Sequence, residues 1–472
     1  MRKTSPEIFL VANEIWERGY CTLPFGIMYV GKALTNAGFK VRIFHLHSGE
    51  EKQFYKEVER SQPLFVGFST IIGNALKRDI EMSKALKKMG QTIVWGGVFA
   101  SMVPEQVLAQ DYVDYVVIGE GEEITPQLAE AILEKEPPSS IPDVGWKDKG
   151  EIKINPPGRW SNNLDQYEPG WELIDLKKYL RKFPGREEYY WQISCFRGCP
   201  HKCSFCYNWI DSRRRVWRAN SLEWCKEQLK YLEKRLPVKI KILSFPGDNS
   251  FGNKDHAWEI IYGLEKAWAG MGRLEIVDED FVKKAKETQA VYLGFGLESA
   301  SEKMLKIYQK ELTPQKAMTS ISLLSKLSCL VDVGMMFFGP GEEQADRRES
   351  ILFMEKALKE NPKVYFAFNT FWAFPKTPLW KKCLELGYHP PQTPEEWSER
   401  FMSFLEVYGW NRKKWLRANF LLNAFFGIPP RLAEQIPGWL RKILYQRLWK
   451  FEFNFPLEDL IRLSIKAWRA FR

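Results

Sequence analysis

Residues 193–208 read ISCFRGCPHKCSFCYN and place four of the chain's eight cysteines within twelve positions. Three of them, Cys199, Cys203 and Cys206, have the spacing Cys-x3-Cys-x2-Cys. Three thiolates on one short loop can bind three corners of an iron–sulfur cube and leave the fourth iron open, whereas electron-carrying clusters normally take four cysteines. A structural zinc knuckle is the alternative, but such sites usually combine two ligand pairs far apart in sequence. The stretch therefore predicts a cluster with one iron free to take part in chemistry.

Strand and helix patterns alternate around this loop, from residue 186 to residue 389. The first strand, YYWQIS, begins at residue 189 and leads into the cysteines. Five more strands are predicted at KILSFPGD, RLEIVD, VYLGFGLES, VDVGMMFFG and VYFAFNTFWAF. Six such units predict a partial (β/α)6 barrel of the TIM type, whose chemistry lies at the carboxyl ends of its strands.

The same alternation occupies residues 1–135, where IFLVAN, KVRIFHL, PLFVGFST, QTIVWGG and VDYVVIGEG are separated by helical patterns. It predicts an α/β, doubly wound, Rossmann-like domain with its ligand crevice beyond the carboxyl ends of the strands. Residues 136–185, rich in proline, glycine and charge, are interpreted as a linker with a hairpin turn at 148–150. Residues 390–472 form a helical, aromatic and basic C-terminal region.

The cysteine spacing, with the aromatic Phe205 before the last cysteine, resembles the signature of the radical S-adenosylmethionine (SAM) superfamily. The resemblance extends over residues 189–385. It implies a [4Fe-4S] cluster on Cys199, Cys203 and Cys206, with SAM chelating the fourth iron through its amino and carboxylate groups. Reductive cleavage of SAM would then release a 5'-deoxyadenosyl radical, with a reductase, flavodoxin or ferredoxin as electron donor.

The ends of the later barrel strands resemble the SAM-binding turns of this superfamily. FPGD at 245–248 would meet the SAM amino group, GLES at 296–299 the ribose or methionyl end, and GPGEE at 339–343 the adenine. Each glycine-rich turn is a weak signal alone, but they follow one another in barrel order. The SAM contacts that the resemblance implies are Phe205, Tyr207, Gly247, Asp248, Glu298, Ser299, Gly339 and Gly341.

The first domain resembles the cobalamin (B12)-binding domain that precedes many radical SAM barrels, through PFGIMYVGKALTNAGFKVRIF, VGFST, VWGGVFAS, VPEQVL and VDYVVIGEGEEITPQLAEAI. The alternative is a doubly wound domain without this ligand. Glycines at the strand ends would let the backbone approach a bulky ligand, and hydroxyls there would bond its amides or nucleotide tail. The expected cobalamin contacts are Ser69, Thr70, Gly96, Gly97 and Ser101.

The loop after the first strand, NEIWERGYCTLPFG at 13–26, has no histidine. Cobalamin proteins with an Asp-x-His-x-x-Gly loop at this point use its histidine as an axial ligand. The lower face of the cobalt is therefore predicted to be empty, water-bound or capped by another residue. His45 and His47 follow the second strand, so they are interpreted as ordinary strand-end residues.

Cys195 lies four residues before the cysteine triplet, on the same strand end or loop. It is a candidate catalytic thiol that faces the cobalt or the substrate. The alternative is a small buried hydrophobe, which is the common state of a free cysteine.

The formal net charge of +10 is concentrated at the end of the chain, because residues 409–472 carry 13 Lys and Arg against 4 Asp and Glu. A helix at 438–453 would place one apolar face beside basic side chains, which suits a membrane surface; that face consists of Leu440, Ile443, Leu444, Leu448 and Trp449. Packing of this face on the barrel is the alternative, and no nucleic acid partner is expected. No apolar run approaches about 20 residues and the start does not resemble a signal peptide. A cytoplasmic protein is expected, with the inner membrane surface as a further option.

Together these features imply a cobalamin-dependent radical SAM enzyme that adds a methyl group to an unactivated carbon of a small-molecule, lipid or isoprenoid substrate. An alternative keeps the cofactors but uses the radical for cyclisation, rearrangement or oxidation. An alternative of another class is a binding protein that senses redox state or cobalamin through its cluster.

Overall fold

The computed structural model of the chain describes residues 6–14, 22–400, 402–428, 431–453 and 457–459. Half of the loop without a histidine, residues 15–21, lies outside the described residues. Within them, no helix combines the length and the apolar character that crossing a bilayer requires.

Seven strands of the described residues form the first sheet: β1 Glu7–Asn13, β2 Lys40–Leu46, β3 Val66–Ser69, β4 Ile93–Gly96, β5 Tyr115–Val117, β6 Val144–Asp148 and β7 Glu151–Ile154. The helices that accompany them are α1 Phe25–Asn36, α2 Glu51–Ser61, α3 Asn74–Lys88, α4 Gly97–Met102, α5 Pro104–Leu108 and α6 Ile124–Glu134. The strand order is β2-β1-β3-β4-β5-β6-β7, and β1 to β5 are parallel. The interior strand β1 is almost continuously apolar and buried, as expected for a strand covered on both faces.

The segment predicted as a linker contributes to this first sheet. Strands β6 and β7 form an antiparallel hairpin, and β6 pairs with β5. The hairpin turns at Lys149 and Gly150, both with positive φ, where the sequence predicted a turn. The first domain therefore extends structurally into residues 144–154.

The described residues after the hairpin contain the strands β8 Arg181–Lys182, β9 Tyr189–Gln192, β10 Phe196–Arg197, β11 Arg218–Ala219, β12 Ile242–Ser244, β13 Ala267–Gly272, β14 Ala290–Glu298, β15 Leu330–Phe337 and β16 Val364–Thr370. Their helices are α7 Leu222–Glu233, α8 Lys254–Leu264, α9 Glu279–Glu287, α10 Glu302–Ile307, α11 Pro314–Leu324, α12 Gln344–Glu360, α13 Trp380–Glu385, α14 Pro394–Arg400, α15 Arg412–Phe426 and α16 Gly438–Lys450. The sheet order is β16-β15-β14-β13-β12-β9-β8, in which six strands are parallel and β8 is an antiparallel edge. This arrangement confirms the partial six-stranded barrel.

The third barrel strand lies six residues earlier than predicted. The predicted strand RLEIVD is wrong, because Leu274–Ile276 forms a 3₁₀ helix and the strand is Ala267–Gly272. Its sequence, AWAGMG, has two glycines and resembles a turn. A Cβ on Gly270 would lie 3.0 Å from the ring of Trp268, so the glycine makes room for a buried indole. Arg273 therefore lies directly at the carboxyl end of a barrel strand.

The C-terminal helix α16 packs on the barrel through one face and exposes the other. Leu444 and Leu448 are buried in the core of the barrel. Trp439 is 67% exposed and Ile443 is 43% exposed. Of the apolar residues predicted to share one face, Leu444 and Leu448 thus lie in the protein core and Ile443 lies at the surface.

Candidate functional site

A cavity of about 340 Å³ lies between the carboxyl ends of the strands in the two domains. Six of the residues predicted from the sequence line it, namely Ser69, Gly96, Gly97, Tyr207, Gly247 and Asp248. The crevice of a doubly wound sheet and the active end of a partial barrel are therefore joined in one space.

The cysteine loop enters this site through a glycine that no other residue can replace without strain. Gly198 has φ +78°, and a Cβ there would overlap the carbonyl oxygen of Val216 and lie 2.7 Å from that of Arg214. The backbone N–H of Cys199 donates to the Arg214 carbonyl at 3.0 Å. The loop that carries the first cysteine is thus fixed against residues 214–216.

The three thiols of this loop are half-buried, and burial raises the pKa of Cys206 to about 12 and that of Cys199 above its usual value. Thiols bind metals as thiolates, so a bound cluster would have to replace these protons. Within the described part of the chain, no three His, Cys, Asp or Glu side chains are already gathered as a metal site. The donor type and the shared loop fit a cluster, and ligation by Cys199, Cys203 and Cys206 remains a prediction.

The loops of the first domain approach the cavity closely because of Gly97. It has φ +88°, and a Cβ there would lie 2.7 Å from the carbonyl oxygen of Thr70. Thr70 Oγ1 donates to the Gly96 carbonyl at 2.8 Å and accepts from Ala100 N–H at 3.2 Å. Ser101 Oγ donates to the Gly97 carbonyl at 2.8 Å. Thr70 and Ser101 thus brace the loops, whereas Ser69 lines the cavity.

Gly97→Ala should weaken cobalamin binding about 10-fold or more, because the strained φ and the backbone overlap both oppose the present loop conformation. Gly38→Ala is the matched control, since Gly38 has φ +90° and no atom lies within 4 Å of the position that a Cβ would take there. Both substitutions place a Cβ on a residue with positive φ, which strains the backbone. Only Gly97→Ala also pushes this Cβ against the backbone of a cavity loop. Equal retention of hydroxocobalamin by the two purified variants, measured by absorbance after gel filtration, would contradict this assignment.

Three predicted SAM contacts meet at the barrel side of the cavity. Tyr207 donates its hydroxyl to the carboxylate of Asp248, and Arg214 lies 3.8 Å from the same carboxylate. Gly247, with φ +154°, lines the cavity beside them. This group offers a carboxylate and a phenol at the end of β12, where the sequence predicted the turn that meets the SAM amino group.

Phe205 and the glycines of the GPGEE turn lie outside this cavity. The ring of Phe205 packs edge-on against Tyr308 at 5.3 Å. A Cβ on Gly339 would overlap the Tyr308 hydroxyl, so this glycine makes room for a buried tyrosine. Gly341 has φ +86°, a backbone conformation that favours glycine over other residues.

Glu298 and Ser299 are held by neighbouring side chains. Glu298 has φ +73°, and its carboxylate lies 3.4 Å from Lys310 Nζ. Ser299 is buried, with its hydroxyl 3.4 Å from that of Ser350 and accepting from Ser301 N–H at 3.2 Å. The positive φ of a glutamate is uncommon and marks the end of β14 as a constrained point.

Comparison with known proteins gives two family matches, to the B12 binding domain over residues 15–129 and to the radical SAM superfamily over residues 193–354. This chain belongs to the radical SAM superfamily. Its N-terminal domain is a B12-binding domain, and the expected cofactor classes, a [4Fe-4S] cluster, SAM and cobalamin, are those of the two families.

Two relatives and one solved structure show what this radical SAM protein is similar to. An uncharacterized methyltransferase of Pyrococcus horikoshii is 27% identical over 70% of this chain and 71% of its own length. The hopanoid C-3 methylase of Methylococcus capsulatus is 25% identical over 76% and 68%. The structure of the radical SAM methyltransferase TsrM from Kitasatospora setae, with cobalamin and a [4Fe-4S] cluster bound, has a TM-score of 0.67 at 16% identity and covers 84% of this chain and 82% of its own. This structural likeness confirms the fold.

Cys195 lies outside the cavity of this radical SAM protein. Its side chain is 0% exposed and belongs to the barrel core beside Cys225. Burial, followed by the neighbouring Cys225 thiol, raises its pKa well above the usual value. This position does not support a catalytic thiol facing cobalt or substrate, because such a thiol needs access to the cavity and a lowered pKa.

His45 also lies away from the cavity. Its Nε2 is 3.1 Å from a carboxylate oxygen of Glu14, and its Nδ1 is 2.9 Å from the Tyr179 hydroxyl. Both ring nitrogens therefore have protein partners, which agrees with an ordinary residue at the end of β2.

Sequence reasoning missed an ion-pair network that joins the two domains at the cavity wall. Arg197, two residues before Cys199, lies 2.7 Å from Glu122 and 3.4 Å from Glu120, with its guanidinium 4.5 Å from the ring centroid of Tyr29. Arg218 donates to Glu120 at 3.1 Å. The signal was present as an acidic GEGEE stretch after β5 and a basic RRRVWR stretch after the cysteines. Their opposite charges would have suggested the pairing of Arg218 with Glu120, whereas Arg197 lies outside the basic stretch.

Trp160 of the predicted linker completes this wall. Its ring contacts the guanidinium groups of Arg213 and Arg218, which lie 4.5 and 5.3 Å from the ring centroid. Arg213 also forms a two-pronged pair with Asp143, at 2.6 and 2.7 Å. The linker is therefore fixed to both domains at the edge of the cavity.

Proposed function

We propose that this protein is a cobalamin-dependent C-methyltransferase that acts on an unactivated carbon of a small-molecule or lipid substrate. The observation that carries the proposal is the single cavity lined by the loops of the B12-binding domain and by the loop before Cys199. Methyltransferases among the relatives support it.

When bound, the cofactors would supply reductive cleavage of SAM at the cluster and carriage of a methyl group by cobalamin. For each product, one SAM would yield S-adenosylhomocysteine and a second would yield methionine and 5'-deoxyadenosine, which keeps the hydrogen taken from the substrate carbon. A flavodoxin, ferredoxin or reductase would provide the two electrons that balance this sum.

The residues of the chain would bind and orient these groups. Cys199, Cys203 and Cys206 would hold the cluster, and Asp248, oriented by the Tyr207 hydroxyl, would receive the SAM amino group. The glycine loops of the first domain would support cobalamin from the opposite side. The ion pair between Arg197 and Glu122 would hold the two domains in a fixed relative position around a substrate.

The test is the mass of the product. Protein reconstituted anaerobically with iron, sulfide and hydroxocobalamin is incubated with dithionite, SAM labelled with deuterium in its methyl group, and a panel of isoprenoids that includes a hopanoid. Methyl transfer adds about 14 Da with ordinary SAM and about 17 Da with the label, together with S-adenosylhomocysteine. Formation of 5'-deoxyadenosine with a product that gains no label would favour cyclisation, rearrangement or oxidation and overturn the methyltransferase proposal.

We also propose that helix α16 docks on an anionic lipid surface, which would give access to a lipid substrate. Its inner face is used by the barrel, and the outer face combines exposed Trp439 and Ile443 with the exposed cations Arg441, Lys442 and Lys450. Interfacial tryptophan with flanking cations is typical of helices that lie in the headgroup region.

Replacing both Trp439 and Ile443 by glutamine should reduce binding to phosphatidylglycerol-containing vesicles about 10-fold or more, because two large apolar side chains no longer leave water. Leu386→Gln, at an exposed apolar residue after α13, is the matched control and should bind as the parent does. Sedimentation with vesicles measures both. Binding that is insensitive to the double substitution would contradict docking through this face.

A further inference from the structure

Two side chains from the barrel donate hydrogen bonds to the sulfur atoms of the cysteine loop. Arg273 Nη1 lies 3.1 Å from Cys203 Sγ, and Asn249 Nδ2 lies 3.8 Å from Cys199 Sγ. Asn249 follows β12 and Arg273 follows β13, so the donors come from the carboxyl ends of adjacent strands. The family comparison and the sequence motifs assign no role to either residue.

Both donors are built into the protein interior. Arg273 is 7% exposed, and its other terminal nitrogen donates to Glu275, which fixes the guanidinium beside the loop. Asn249 is 3% exposed, and its Oδ1 accepts from Phe251 N–H at 3.0 Å, which turns its amide N–H group toward Cys199. Both donors are therefore buried side chains held in position by other hydrogen bonds.

A donor aimed at a ligand sulfur favours the more negative charge state of an iron–sulfur cluster, so it raises the reduction potential. The effect is strengthened when the donor carries a full positive charge in a buried site. We propose that Arg273 sets the reduction potential of the cluster through Cys203, with Glu275 as the residue that positions it and moderates its charge. The inference rests on the cluster ligation proposed above and is independent of methyl transfer.

The test is a redox titration of the reconstituted full-length protein, followed by electron paramagnetic resonance, without SAM or substrate. Arg273→Met removes the donor and the charge, so the midpoint potential of the cluster should become more negative. The fraction of cluster reduced at a fixed dithionite concentration should fall several-fold. Glu275→Gln leaves the cation less neutralised, so the midpoint should become more positive. Arg273→Lys should lie between the parent and Arg273→Met. Arg235→Met, at an exposed arginine beyond α7, is the control and should titrate as the parent does.

Opposite shifts in Arg273→Met and Glu275→Gln at equal iron content establish the role, because a merely structural effect would not reverse sign. Unchanged midpoints in both variants would overturn it, and weaker SAM binding in those variants would then assign the pair to the cofactor instead. If Arg273→Met retains no cluster, Glu275→Gln decides alone, and a midpoint at or below that of the parent overturns the proposal. A protein that shows these shifts without transferring methyl groups would refute the proposed function and leave this inference standing.

Discussion

Cys203→Ala should abolish the formation of 5'-deoxyadenosine from SAM in a protein that remains folded. Cys203 is the middle residue of the three predicted ligands and receives the Arg273 hydrogen bond. With two thiolates left, the loop cannot hold three corners of a cluster, and no open iron remains for SAM. We expect a loss of at least about 1,000-fold in the rate of SAM cleavage, since no other group in the site supplies the electron.

Cys329→Ala is the matched control for this experiment. Cys329 is a buried free thiol after α11 and has no predicted role in the cluster. Its removal should cost about 1 to 2 kcal/mol of stability through lost packing while iron content and SAM cleavage are retained. Iron analysis and chromatography of the nucleoside product check both variants. Full activity in Cys203→Ala would show that the cluster ligands have been assigned wrongly.

Arg197→Met should destabilise the association of the two domains by roughly 3 to 5 kcal/mol, because it leaves Glu122 buried without its cation. The Glu122 side chain is 7% exposed, and its carboxylate lies 2.7 Å from the guanidinium. Both residues line the cavity, so the loss should also appear as release of hydroxocobalamin. Urea unfolding and cobalamin retention on gel filtration measure the two consequences.

A double-mutant cycle with Glu122→Gln separates pairing from simple loss of packing. The double variant should be more stable than the sum of the two single changes implies, by about 1 to 3 kcal/mol, since neither partner is then left charged and alone. Lys182→Met, which breaks the exposed pair with Glu187, is the control and should cause no measurable change. Additive effects of the two single changes would contradict a direct role for the pair.

The sequence predicted the parts of the fold that leave a local pattern. Cysteine spacing predicted the loop before Cys206, and apolar runs predicted five of the six barrel strands at their correct places. The strand Ala267–Gly272 escaped notice because glycines next to large aromatic side chains leave no alternating pattern. Its correct position mattered, because it is what brings Arg273 to the site.

The residues of the candidate site were less predictable than the strands that carry them. A hydroxyl at a strand end looks the same in sequence whether it is free or already bonded, so Thr70 and Ser101 were expected to be ligand contacts. The pairing of Arg197 with Glu122 joins residues 75 positions apart, and no local periodicity reports such a contact. Charge complementarity between two short stretches was a signal for the pairing of Arg218 with Glu120, but Arg197 lies outside the basic stretch.

The fixed linker has a consequence for engineering. Strands β6 and β7 belong to the first sheet, and Trp160 contacts two arginines of the barrel. A chimaera that exchanges the N-terminal module with that of a relative at residue 136 would therefore separate the hairpin from its sheet, although it would leave Trp160 with its two arginines. A crossover between Ile154 and Trp160 keeps the hairpin with its own sheet and the indole with Arg213 and Arg218, so it is the recombination point that the fold favours.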